Sequence, residues 1–119
     1  MRIADAEWRV MRIVWQQQVA TAADVIQALA SETDWNHRTI RTLLHRLVEK
    51  GALAVKKKDG KNVYYSKVRQ DRCVHEETQS FLDKVFDGDA AELLVHFVEN
   101  KTISREQIDE LKRLLEEKE

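Results

Sequence analysis

Between Asn36 and Gly51 the chain reads NHRTIRTLLHRLVEKG, and its polar members fall at telling intervals. At about 100° per residue, Arg38, Arg41, Thr42, His45 and Arg46 gather on one side of a helix, with Thr39 at its amino end, while Ile40, Leu43, Leu44, Leu47 and Val48 gather on the other. A guanidinium fork matches two adjacent acceptors such as O6 and N7 of guanine. A threonine offers a hydroxyl and a methyl group, the latter suited to thymine. This is the chemistry of base-edge recognition. A few residues on, Lys56, Lys57, Lys58 and Lys61 surround Asp59-Gly60 and supply compact positive charges suited to phosphate oxygens. The ordinary role of a charged helix face is to be solvated, so the elements that hold these residues have to decide.

The chain has three glycines and no proline, which makes its punctuation easy to read. Trp8, Met11 and Trp15 recur at helical spacing from Asp5 to Gln16 and predict a first helix with an aromatic-rich buried side. Val19–Ala20 reads as a short connector. Thr21 and Asp24 then form an amino-terminal cap with an acidic first turn for a second helix, its inward stripe Val25, Ile26 and Leu29, fading near Ser31. Asn36 caps the third helix, which runs to Lys50 and stops where Gly51 can adopt the left-handed conformation. Strand-forming residues flank Asp59-Gly60, a strong hairpin signal, and a two-residue turn there sets Val55 opposite Tyr64 and Lys58 opposite Lys61. Like charges facing across a ladder are unfavourable unless an anion lies between them.

The order of helix, helix, exposed third helix and basic hairpin predicts a mainly α chain, with a winged helix-turn-helix domain over 1–68 and a helical domain over 69–119. Residues 1–68 hold 12 Lys/Arg against 7 Asp/Glu, and residues 69–119 hold 8 against 14, so a net charge of −1 conceals two halves of opposite sign. Within 36–68 there are 9 basic residues and 2 acidic ones, the footprint of a polyanion partner. In the second half, Phe81, Leu82, Val85 and Phe86, then Leu93, Leu94, Phe97 and Val98, then Ile108, Leu111, Leu114 and Leu115 make three apolar stripes, broken at Asp87-Gly88 and near Asn100. Ser104 and Gln107 make a capping box. Three short helices are too small to bury these stripes alone, so Phe81, Val85, Leu93, Leu94, Phe97, Val98, Ile108, Leu111 and Leu115 are expected to pair two copies of the chain.

These stretches resemble the penicillinase-repressor (BlaI/MecI) family of bacterial winged-helix regulators, which is related to the copper-responsive CopY group. The likeness is carried by DAEWRVMRIVW (5–15), TAADVIQAL (21–29), TIRTLLHRLVEKGAL (39–53), VYYS (63–66), SFLDKVFDGD (80–89) and LVHFVENKTISREQIDELKRLLEE (94–117), nearly the whole chain. The resemblance implies a homodimeric repressor on an inverted-repeat operator. It carries base and backbone contacts onto Arg38, Thr39, Thr42, Arg46 and Lys61. Members paired with a β-lactam-sensing membrane protease are cut at an Asn-Phe bond. The matching pair here is His96-Phe97, in which only the phenylalanine agrees. The paired metal-binding cysteines of the copper-responsive relatives have no counterpart in the tail LKRLLEEKE.

Other chemistry finds little support. A single cysteine, Cys73, forms no internal disulfide, and Cys73 with His75 is two donors without companions, so neither a metal nor another cofactor is expected. Helical spacing assigns Trp8 and Trp15 to core packing and not to a ligand cage, and Trp35, just before the third helix, is placed to pack as a staple. No apolar run approaches a membrane span, and the amino terminus lacks a secretory pattern, which together predict a cytoplasmic protein without membrane insertion. An enzyme would need a triad, a metal cluster or a phosphate-cradling loop, and none is visible. A winged-helix adaptor for other proteins is the remaining alternative. It has no use for an exposed arginine-threonine face.

Overall fold

A computed structural model of the chain describes residues 1–118. In chain order it holds α1 (Asp5–Gln17), β1 (Val19–Thr21), α2 (Ala22–Leu29), α3 (His37–Lys50), β2 (Leu53–Lys58), β3 (Lys61–Ser66), α4 (Gln70–Phe86), α5 (Ala90–Glu99) and α6 (Arg105–Lys118). The fold is mainly helical, with one antiparallel sheet of order β1-β3-β2. The chain divides into two compact units, Met1–Cys73 and the segment from Val74 onward.

The first unit is built around one apolar centre. Val10, Met11 and Val14 of α1, Val25 and Leu29 of α2, and Ile40, Leu44 and Leu47 of α3 are almost wholly buried and meet Ala52 and Leu53 at the start of the hairpin. Each such aliphatic side chain contributes roughly 1.5–3 kcal/mol on leaving water. Trp8 and Trp15 lie half-buried against this centre with ring centroids 5.8 Å apart, and Trp35 packs on it just before α3. The Trp15 Nε1–H donates to Ser66 Oγ at 3.0 Å and to the Val68 carbonyl at 3.2 Å, tying α1 to the end of β3.

Val19–Ala20 is not a connector. It opens β1, where Val19, Ala20 and Thr21 pair with Tyr65, Tyr64 and Val63. Three residues carry no periodicity of their own, and the strand exists because β3 offers an unpaired edge. Thr21 ends it and caps α2 in the same stroke: its Oγ1 accepts from the Asp24 N–H at 3.0 Å while Asp24 Oδ2 accepts from the Thr21 N–H at 2.9 Å.

One buried charge was not foreseen. Glu7 of α1 is 1% exposed, accepts from the Ala4 N–H at 2.8 Å and pairs with Lys50 Nζ at the last residue of α3. Lys50 also donates to the Arg2 carbonyl at 2.8 Å. The carboxyl end of α3 is thereby fastened to α1 and to the residues that precede it.

In the second unit, Asp89 caps α5, and Ser104 and Gln107 cap α6 reciprocally at 3.1 and 2.9 Å. Among the described residues from 74 onward, Leu82 alone is buried. The α5 sequence AAELLVHFVE leaves Leu94, Val95 and Val98 exposed, each about half.

Candidate nucleic-acid interface

The third helix is oriented by both of its ends. At the amino end Asn36 Oδ1 accepts from the Thr39 N–H at 2.9 Å. At the carboxyl end Gly51 takes φ +86°, a left-handed conformation that side-chain-bearing residues rarely adopt, and its N–H bonds back into the last turn. Between these caps Ile40, Leu43, Leu44 and Leu47 anchor one side of α3 in the core. His37, Arg38, Arg41, Thr42, His45 and Arg46 are exposed, and Thr39 is half-buried. The helix therefore presents a rigid polar face whose position is set by the buried one.

Not all of that face is equally available. His45 Nε2 lies 3.4 Å from Glu49 Oε1, one turn along α3. A neighbouring carboxylate makes His45 a weaker phosphate ligand than the arginines beside it. The hydroxyl of Thr39 donates to Asn36 Oδ1 at 3.1 Å, so this side chain is held in one orientation.

The hairpin adopts the expected register, with Val55 opposite Tyr64 and Lys58 opposite Lys61. Asp59 and Gly60 both have positive φ, 52° and 79°, as a two-residue type I′ turn requires. Side chains alternate across a sheet, so Lys56, Lys58 and Lys61 share one face of the wing and Lys57 points to the other, opposite Asn62. The four lysines thus form no single patch. Lys56 Nζ sits 5.2 Å from the centre of the Tyr65 ring, in cation–π range. Sequence reading passed over Tyr65. Its signal was the register itself, in which Tyr65 lies two residues beyond the position facing Lys56 on the same face.

In the second unit Phe81, Val85, Leu94, Val98, Leu111 and Leu115 are exposed, whereas Leu93, Phe97 and Ile108 are half-buried. Leu114, part of the third stripe, is exposed too, and the exposed Val95 widens the apolar surface beyond the stripes read from spacing. His96 and Phe97 lie inside α5, His96 exposed and edge-on to Phe86 at 5.9 Å. Cys73 is buried in the first unit's core and His75 is exposed. No cluster of three or more His, Cys, Asp or Glu suited to a metal occurs among the described residues. No helix among them is long and apolar enough to cross a membrane.

A capped helix exposing arginine and threonine, followed by a lysine-bearing two-stranded wing, defines a winged helix-turn-helix protein, a class that sets its third helix in a duplex groove. More narrowly, the chain belongs to the penicillinase repressor family, which it matches over residues 3–117. The function in that family's name is repression, not catalysis. The chain is similar to the methicillin resistance regulatory protein MecI of Staphylococcus aureus, 36% identical over 116 residues that span 98% of this chain and 94% of that one. It is also similar to the penicillinase repressor of Bacillus licheniformis, 34% identical over 98% of this chain and 91% of that one. The solution structure of monomeric Bacillus licheniformis BlaI in complex with the blaP half-operator matches with a TM-score of 0.54 at 34% identity. The match covers 60% of this chain and 87% of that one.

Proposed function

We propose that this chain is a sequence-specific, double-stranded DNA-binding transcriptional repressor of the bacterial cytoplasm, working as a homodimer on an inverted-repeat operator. The observation that carries the reading is the exposed side of α3, where Arg38, Arg41, Thr42 and Arg46 are held out by a buried opposite side. These side chains reach base edges. The wing lysines meet phosphates and set orientation. The relative seen on a half-operator is 34% identical to this chain. The second unit supplies the pairing surface, fixing two copies of α3 about one helical turn of DNA apart, roughly 34 Å, or a multiple of it.

A salt titration tests the binding directly. The logarithm of the affinity for duplex DNA falls linearly with the logarithm of salt concentration, by roughly 0.9 for each phosphate neutralised. Lys58→Ala with Lys61→Ala lowers that slope by about 2 per protomer and weakens all sequences alike. An affinity indifferent to salt ends the proposal.

A second, smaller effect belongs to Tyr65. Tyr65→Leu removes the ring beneath Lys56 and lowers DNA affinity about two- to fivefold, matching roughly 0.5–1 kcal/mol for an exposed cation–π contact. Tyr65→Phe retains the affinity. Equal losses in both variants, measured by fluorescence anisotropy, assign the effect to the hydroxyl instead.

Release from the operator follows any event that separates the paired units. A membrane sensor protease acting at His96-Phe97 would divide α5 and detach α6 from the rest of the chain. Histidine in place of asparagine at this bond argues for a protease of different preference or for another route of induction.

A further inference from the structure

The Thr39 hydroxyl is turned toward its own helix cap. Asn36 Oδ1 receives two hydrogens, from the Thr39 N–H at 2.9 Å and from the Thr39 hydroxyl at 3.1 Å. A backbone N–H can only donate, so the amide atom facing it is the oxygen, which settles the orientation of the Asn36 amide. An amide oxygen cannot donate in return. The single hydroxyl hydrogen of Thr39 is therefore spent within the helix cap, and Oγ1 offers the outside only lone pairs beside a methyl group.

From this, we infer that Thr39 is an acceptor-only reader, selecting an exocyclic amine in the major groove, either N6 of adenine or N4 of cytosine. Phosphate oxygens, guanine O6 and N7, and thymine O4 are all acceptors and have no hydrogen to give it. Thr39 thereby differs from a threonine whose hydroxyl rotates freely and contacts base edges or backbone alike. Asn36 is a positioning residue for this reading as well as a cap, and the inference rests on the DNA-binding function proposed above.

The test begins with selection of preferred duplexes from a random library by the full chain. It continues with the same selection for Thr39→Val, which keeps the backbone N–H that Asn36 caps, and for Thr39→Ser, which keeps the hydroxyl. The wild type and Thr39→Ser show one half-site position requiring adenine or cytosine, and Thr39→Val loses that requirement. In the selected duplex, purine replaces adenine, or 2-pyrimidinone replaces cytosine, to delete the amine at that position. Wild-type affinity then drops about three- to tenfold, the span of one net hydrogen bond, while Thr39→Val is unmoved. The arm that responds names the base. A preference for guanine or thymine at the position lost in Thr39→Val, or an equal loss on every sequence, overturns the inference and leaves DNA recognition standing. A chain that enriches no sequence overturns both.

Discussion

Replacing Leu94 and Val98 together with glutamate yields a monomer whose affinity for a duplex carrying two half-sites falls by about 10²–10⁴-fold, while a single half-site is held as before. Both side chains are about half exposed on α5 in the isolated chain, 47% and 51%, so neither belongs to the buried core of the protomer. Their main cost arises where another surface covers their exposed halves, because a buried unpaired carboxylate is expensive. Sedimentation measures the oligomeric state and binding to one and two half-sites measures the linkage. A doubly substituted chain that still dimerises moves the pairing surface off α5.

The choice of α5 follows from how little the second unit buries. With Leu82 its only buried side chain among those described, the unit leaves Phe81, Val85, Val95, Leu111, Leu114 and Leu115 in water as well. Apolar surface of this extent is what the proposed homodimer would cover. In the proposed homodimer, linkage of two weak half-site contacts would turn the second into an intramolecular event and so supply the avidity. In the BlaI structure it is a monomer that occupies the half-operator.

Much of this architecture was legible because its signals are local. Asn36 and Gly51 bracket α3 with a cap and a left-handed stop, and both act within a few residues of the helix they delimit. Asp59-Gly60 fixes a two-residue turn, and once the turn is fixed the pairing of Lys58 with Lys61 and Val55 with Tyr64 follows by counting. What escaped reading was created by partners distant in sequence. Val19 became a strand residue through Tyr65, and Glu7 was drawn inside by Lys50. A glutamate in the first turn of a helix ordinarily reads as a solvated acid favoured by the helix dipole. Nothing near Glu7 in the sequence announces a cation 43 residues away. The orientation of the Thr39 hydroxyl was hidden for another reason: Asn36 was read correctly as a cap, but spacing cannot show that one oxygen takes two hydrogens from the same residue.

The Glu7–Lys50 pair leads to an asymmetric stability result: Lys50→Ala destabilises the chain by about 3 kcal/mol, whereas Glu7→Gln costs about half as much. Deleting the lysine head strands a carboxylate whose side chain is only 2% exposed, leaving the Ala4 N–H as its remaining hydrogen-bond donor among the contacts described above. Deleting the charge at residue 7 strands nothing comparable, because Lys50 is 34% exposed and its ammonium can turn to water. Glutamine also keeps an oxygen for the Ala4 N–H. Urea or thermal unfolding of the two variants measures the difference. Lys50→Ala also loosens the carboxyl end of α3 from α1 and from the Arg2 carbonyl, so DNA affinity falls in the folded fraction although Lys50 is not among the residues proposed to touch DNA. Equal destabilisation by the two substitutions would show that the buried carboxylate relies on Lys50 no more than the lysine relies on it.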